Sequence, residues 1–192
     1  MKFVIEHLEP ELFEWCLIEY EHISKIVGRD NLIFTNIKNK KDELKLKKYS
    51  TVYSEDVSEL GFKKICVLSQ YSNKTLKSED KNNFEYFVFG GILGDNPAKK
   101  RTIEMEKKLE KKGLNFEARN LGKRQMPTDT AVYVAKKILD GKKLNELKFV
   151  DELEIEINEN ESVTLNFRFV VDDNKLVINE KLIEYLRGRD EF

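Results

Sequence analysis

The stretch Phe84-Glu85-Tyr86-Phe87-Val88-Phe89-Gly90-Gly91-Ile92-Leu93-Gly94-Asp95-Asn96-Pro97 decides how the remainder of the chain is read. Its first six residues are almost uniformly apolar on both alternating faces, which predicts a strand covered on both sides near the middle of a parallel sheet. Three glycines then fall within five positions, and residues 99–112 read as a helix with a charged, solvated face that stops at Gly113. Glycine lets backbone approach a ligand closely and adopt positive φ. Open α/β sheets bind ligands beyond the C-terminal ends of their strands. The order Gly-Gly-x-x-Gly is not the dinucleotide fingerprint, and no Lys-Ser or Lys-Thr follows as in a phosphate-binding loop. The loop also sits near mid-chain, whereas a Rossmann nucleotide loop follows the first strand. Taken alone, the stretch is either a ligand-binding loop or a bare strand-to-helix turn.

Working outward, residues 1–5, 31–35, 64–69 and 115–119 read as strands, and residues 12–27 as a helix closed by Gly28. Pro10 between Glu9 and Glu11 is a start signal for that helix. Residues 36–48 are Lys-rich and weakly periodic, so they are either a charged helix or a surface segment, and residues 55–60 form a short helix ended by Gly61. Residues 128–139 read as a helix ended by Gly141, Phe149-Val150 as the close of a buried strand, and residues 180–186 as a last helix. Residues 153–157 and 163–171 alternate around Asn158-Glu159-Asn160-Glu161, the pattern of a hairpin. Strands alternating with helices from end to end predict an α/β fold, a mostly parallel sheet flanked by helices, in one domain over residues 1–192.

Composition narrows the function. Of 192 residues, 34 are Lys or Arg and 35 are Asp or Glu, so the chain is densely charged yet nearly neutral, unlike a protein that coats nucleic acid. No apolar run is long enough to span a bilayer. Glu6 and Glu9 interrupt the N-terminus where a signal peptide needs an apolar stretch, so a cytoplasmic location is expected. Cys16 and Cys66 are the two cysteines and His7 and His22 the two histidines, which excludes a disulfide scaffold and argues against a zinc site.

Two further segments accompany the glycine loop. Arg119-Asn120-Leu121-Gly122-Lys123-Arg124-Gln125-Met126-Pro127 leads from a strand into Thr128-Asp129-Thr130-Ala131, where Thr128 is an N-cap or Pro127 the residue just before it. Phe149-Val150-Asp151-Glu152-Leu153-Glu154-Ile155-Glu156 offers carboxylates that either touch a cation or form a solvated acidic face. Each segment alone has an ordinary structural explanation. Together they predict three strand-end loops converging on one ligand.

At this point the sequence resembles a small branch of the SPOUT methyltransferase superfamily. Gly90-Gly91-Ile92-Leu93-Gly94-Asp95, Pro97 and Arg101-Thr102 carry the likeness, with Arg119, Leu121-Gly122, Gln125-Met126 and Thr128-Asp129-Thr130-Ala131. Val4-Ile5-Glu6-His7, Glu14-Trp15, Glu19-Tyr20, Thr35-Asn36, Phe149-Val150-Asp151 and Phe167-Arg168 match in the same order. The branch includes a fungal enzyme that methylates an arginine of a small-subunit ribosomal protein, and archaeal members described as predicted RNA methyltransferases. The resemblance implies a C-terminal trefoil knot, one of the rare exceptions to chain-threading rules. It also implies S-adenosylmethionine held bent by Gly90, Gly91, Gly94, Asp95, Leu121, Gly122, Gln125, Met126 and Thr130, with Val150. The chain departs from the pattern at Asn96 (His expected), Leu153 (Pro expected) and Leu165-Asn166 (Met-Pro expected), which bears on the choice of acceptor. Residues 36–48 and the C-terminal tail match nothing in the branch.

Methyl transfer from a sulfonium needs positioning and electrostatics rather than a metal. An arginine acceptor arrives protonated and is served by a buried carboxylate that takes up a proton. Glu19 is the candidate, because Trp15, Glu19 and His22 share a helix face; a surface ion pair is the alternative. Asp95 and Asp129 are the other carboxylates, each also able to cap a helix. Arg101 either binds an acidic group or pairs with nearby Glu104. An arginine of a ribosomal or translation-linked protein is the expected acceptor, RNA is the alternative, and a non-catalytic S-adenosylmethionine- or ribosome-binding module is a third reading. The basic stretches at residues 38–48 and 99–108 interleave acids, as solvated faces do. The sequence leaves monomer and knot-mediated homodimer open.

Overall fold

The structure is a computed structural model that describes residues 1–93, 100–159 and 161–188. The chain order is β1 (Lys2–His7), α1 (Glu14–Val27), β2 (Leu32–Thr35), α2 (Lys40–Leu46), β3 (Thr51–Val52), β4 (Ile65–Leu68), α3 (Asp80–Asn83) and β5 (Tyr86–Gly91). It continues with α4 (Arg101–Lys111), β6 (Phe116–Arg119), α5 (Thr128–Leu139), β7 (Lys148–Val150), β8 (Leu153–Asn158), β9 (Glu161–Leu165), β10 (Phe169–Asp172), β11 (Lys175–Leu176) and α6 (Glu180–Arg187).

Six strands form one sheet in the order β3-β2-β1-β5-β4-β6, every pair parallel. Side-chain alternation along the strands divides the interior. Phe3, Ile5, Phe34, Cys66, Phe87 and Phe89 point to the face covered by α1 and α5. Val4, Ile33, Ile65, Val67 and Val88 point to the other, where Met105 and Leu109 of α4 meet them. This two-sided coverage is why β4 and β5 read as continuous apolar runs. A third cluster joins Ile18 of α1 to Ile155, Leu165, Phe169, Leu182 and Leu186, so the C-terminal strands and α6 lie against the first helix.

Three expectations change. The first helix starts at Glu14, not at Leu12, with Phe13 extended before it. The Glu9 carboxylate is engaged instead by the Leu93 N–H and Arg101, which holds this segment as a loop. Phe149-Val150 is not a buried strand of the main sheet: β7 is an edge strand paired antiparallel with β10, and Val150 is 39% exposed. The expected strand over residues 163–171 breaks between Leu165 and Phe169, where the Arg168 N–H bonds to the Gln125 carbonyl at 2.8 Å. β9 therefore pairs with β8, while β10 pairs with β7 and β11. The Lys-rich segment contains α2, capped by the Asn39 side chain and burying Leu46 alone.

Candidate active site

Because β4, β5 and β6 are adjacent and parallel, their C-terminal ends lie at one edge of the sheet. A cavity of about 850 Å³, counted to its open mouth, lies there. Leu68 ends β4 and Ser69 and Tyr71 follow it, Phe89, Gly90 and Ile92 come from β5 and the turn after it, and Leu121, Gly122, Gln125 and Met126 follow β6. Arg101 and Thr102 close it from α4, and Thr128 and Ala131 from α5.

The loops are tied to one another. Asn120 donates its N–H to the Lys74 carbonyl at 2.7 Å and accepts from the Leu76 N–H at 3.0 Å. Its side chain donates to the Ser72 carbonyl and accepts from the Gly122 N–H, both at 3.0 Å. The segments after β4 and β6 are thus one hydrogen-bonded unit. Below them, Arg119 is buried, bonded to both Asp80 oxygens at 3.0–3.1 Å and lying 5.1 Å from the Phe84 ring centroid. Burial alone would lower the Arg119 pKa; Asp80 and Glu117 outweigh it and leave it raised.

The two adjacent glycines of β5 face opposite environments. A Cβ at Gly90, which lines the cavity, would meet Ile92 Cδ1 at 3.1 Å, Leu8 Cδ1 at 3.2 Å and Thr102 Oγ1 at 3.3 Å. A Cβ at Gly91 would fall 2.1 Å from the Tyr20 hydroxyl and 2.9 Å from Ile5 Cγ2, inside the core. Tyr20 is itself held by His7 Nδ1 at 2.9 Å. Gly91 thus makes room for Tyr20, and only indirectly shapes the cavity.

Two hydroxyls are buried without a hydrogen-bond partner among the described residues: Ser69 Oγ, in the cavity lining, and Thr130 Oγ1 on α5. A buried unpartnered hydroxyl costs free energy that a ligand can recover. Glu19 is 3% exposed and does not line the cavity. It accepts from Trp15 Nε1 at 2.8 Å and is hydrogen-bonded to Thr128, which does line it. Burial raises the Glu19 carboxyl pKa and neighbouring Asp129 raises it further, against the pull of the Trp15 and Thr128 bonds. Asp129 pairs with His22 Nδ1 at 2.7 Å and accepts from the Thr130 N–H. Burial pushes the thiols of Cys16 and Cys66 up to about 12, so neither is a ready nucleophile.

Of the residues singled out in the sequence, Gly90, Leu121, Gly122, Gln125, Met126 and Arg101 come together in the cavity lining. Arg101 pairs with Glu9 at 2.6 Å rather than with Glu104. Gly91, Thr130 and Glu19 lie behind the lining, and Val150 stands apart on β7. Gly94 and Asp95 lie outside the described residues. The third converging loop is the one after β4, and the acidic segment at residues 149–156 is not part of it. Residues 68–71 carry no glycine or charge to mark them; their one signal is the strand before them, whose C-terminal end has to lie at this edge. Among the described residues no group of His, Cys, Asp and Glu is arranged to hold a metal ion, and no helix is long and apolar enough to cross a membrane.

This chain is 34% identical to the protein arginine N-methyltransferase SFM1 of Saccharomyces cerevisiae, across 97% of this chain and 94% of that one. It is also similar to a solved structure of the yeast arginine methyltransferase SFM1 complexed with SAM, with a TM-score of 0.88, 32% identity, and coverage of 97% of this chain and 89% of that chain. A crystal structure of dual specific Trm10 from Thermococcus kodakaraensis shares the fold at a TM-score of 0.60 and 18% identity, over 76% of this chain and 96% of the other. The architecture is accordingly that of SPOUT-type methyltransferases. Residues 2–191 match the family described as protein arginine N-methyltransferase SFM1-like, and the chain belongs to that family.

Proposed function

We propose that this chain is an S-adenosylmethionine-dependent methyltransferase that modifies an arginine side chain of a protein, in the cytoplasm, with a ribosomal or other translation-linked protein as acceptor. The observation that carries the reading is the cavity at the ends of β4, β5 and β6. It combines an apolar lining, a glycine that brings backbone to the surface, and the unsatisfied Ser69 hydroxyl. Those features suit the cofactor. Leu68, Phe89, Leu121 and Met126 offer apolar surface to a purine, Ser69 and the loop amides offer polar contacts, and Lys100 and Arg124 offer cations to a carboxylate. When bound, S-adenosylmethionine supplies an electrophilic methyl group on a sulfonium. The reading includes the knotted path that the resemblance implies.

This chain's own residues have three tasks. The cavity lining fixes the acceptor nitrogen in line and excludes water. Thr128, at the start of α5, stands between the cavity and Glu19. Glu19 takes up the proton that the guanidinium releases as its new N–C bond forms, through the Thr128 hydroxyl, because burial gives it a higher proton affinity than an ordinary carboxylate. The test is incubation of the full chain with methyl-labelled S-adenosylmethionine and a ribosomal extract, split into protein and RNA fractions, with hydrolysis of the labelled protein. Label recovered as methylarginine is the expected result. Label confined to RNA, or no label, overturns the proposal.

A further inference from the structure

A second concavity lies on the far side of the loop that follows β6. Its volume, counted to its open mouth like that of the cavity, is about 1150 Å³, and Leu76, Ile138, Leu144, Leu147 and Phe149 supply its apolar floor. Lys77, Lys142 and Lys143 stand exposed on the rim, and none of the three is ion-paired among the described residues. Glu79 is the one acid in the lining.

The groove and the cavity share a wall. Gly122 lines the cavity, and a Cβ added to it would meet Arg168 Nη1 at 3.8 Å and Leu144 Cδ2 at 4.0 Å, both groove residues. The Arg168 N–H holds the Gln125 carbonyl of the cavity loop at 2.8 Å. On the opposite wall, Leu76 is bonded through its N–H to Asn120. A chain resting in the groove therefore touches the outer surface of the loops that form the active site.

We propose that this groove docks a segment of the protein acceptor, away from the arginine to be modified, built from apolar side chains flanked by acidic ones. The inference rests on the methyl-transfer reading above and adds to it how the acceptor is chosen. Three unpaired ammonium groups around an apolar floor complement such a segment in both charge and polarity. Nucleic acid fits less well. The floor's single aromatic ring, Phe149, already carries the Arg168 guanidinium on one face, 5.0 Å from its centroid, and the lining holds no second ring for successive bases to stack on. Two-point attachment raises the effective concentration of the arginine at the cavity mouth.

The test compares the wild type with a Lys77→Glu, Lys142→Glu, Lys143→Glu variant of the full chain, using methyl-labelled S-adenosylmethionine and the protein fraction of a ribosomal extract at sub-saturating concentration. All three side chains are exposed, so the variant should fold, and a milder Lys142→Gln, Lys143→Gln variant guards against failure. The initial rate of protein labelling should fall at least tenfold in the triple variant and less in the double one. Cofactor affinity by calorimetry should stay within twofold. A peptide of alternating glutamate and leucine should compete with the acceptor for the wild type and not for the triple variant. Unchanged labelling with intact cofactor binding overturns the docking site alone. Loss that appears in an RNA fraction instead assigns the groove to nucleic acid and overturns it too. A wild type that binds the cofactor but labels no protein overturns the methyl-transfer reading, and this inference with it.

Discussion

Two glutamates are buried among the described residues, and they make instructive opposites. Glu6 is the next-to-last residue of β1, fully shielded, accepting from the Thr35 hydroxyl at 2.5 Å and the Val57 N–H at 3.0 Å. Glu19 sits on α1, accepting from Trp15 and bonded to Thr128. Burial raises both carboxyl pKa values, and pushes Glu6 up to about 8. Each also has a second acid nearby: Asp56 for Glu6, Asp129 for Glu19. Burial of Asp56 alone would raise its pKa too, but the Lys108 ammonium at 2.8 Å and the hydrogen bonds from Ser58 and Glu6 together outweigh that and hold it at about 2. A raised carboxyl therefore does not by itself mark an active site. What separates the two is the neighbour: Thr128 lines the cavity and Thr35 does not.

The largest effect expected is on turnover. Replacing Glu19 with Gln keeps the shape and removes the proton acceptor, so methyl transfer should slow on the order of 100-fold or more, the range general-base removal gives. Cofactor affinity should stay within a few-fold, and single-turnover kinetics beside calorimetry measures both. Glu6→Gln should leave turnover within about twofold. If the two variants slow the reaction equally, the two glutamates do not differ in role.

Glu6 should show itself in stability. Its folded pKa is raised, so the folded chain keeps a proton that the unfolded chain releases above about pH 4.5. Its contribution is complete below that pH and is lost progressively up to about pH 8. The shift corresponds to at most about 5 kcal/mol. His7, whose pKa burial lowers, acts in the opposite sense as pH falls through 6.5, so the comparison must be made against Glu6→Gln at each pH. Relative to the wild type, that variant should gain several degrees of melting temperature between pH 5 and pH 8. A constant offset across that window would show that Glu6 does not titrate there.

The neighbouring glycines of β5 repeat the contrast at smaller scale. Gly91→Ala drives a methyl group into the Tyr20 hydroxyl and should cost about 1–3 kcal/mol of stability, as overpacking does. Gly90→Ala meets only side-chain ends that can yield, on the cavity side, and should weaken cofactor binding about tenfold with a smaller change in melting temperature. Paired melts and titrations decide it, and a reversed pattern would place the cofactor elsewhere.

These contrasts also mark how far the sequence could be read. The strand read over residues 84–89, which the structure places at residues 86–91, and the helix at residues 128–139 were legible because an unbroken apolar run and a 3.6-residue period each have one good structural solution. The face shared by Trp15 and Glu19 follows from spacing on a single helix. What escaped was everything that depends on strand order. The order β1-β5-β4-β6 brings residues 68–71 beside the glycine loop, and no local pattern encodes that adjacency. Helical spacing puts His22 on the face of Glu19, yet it pairs with Asp129, 107 positions away. Val150 follows Phe149 in an apolar pair that reads as buried, because a three-residue edge strand has no room to display alternation.

The smallest effect tests the neighbours themselves. Each glutamate has its own threonine hydroxyl, Thr35 for Glu6 and Thr128 for Glu19. Thr→Val conserves volume and deletes the hydroxyl, so both variants lose one buried hydrogen bond and should lose about 1 kcal/mol of stability, detectable in urea melts. Their kinetics should part company. Thr35→Val should turn over like the wild type. Thr128→Val interrupts the link between the cavity and Glu19, and should slow transfer three- to tenfold while shifting the pH–rate profile, since the proton must then reach Glu19 by water. If Thr128→Val alters stability alone, Glu19 serves the fold in the same way as Glu6, and the acceptor's proton leaves by another route.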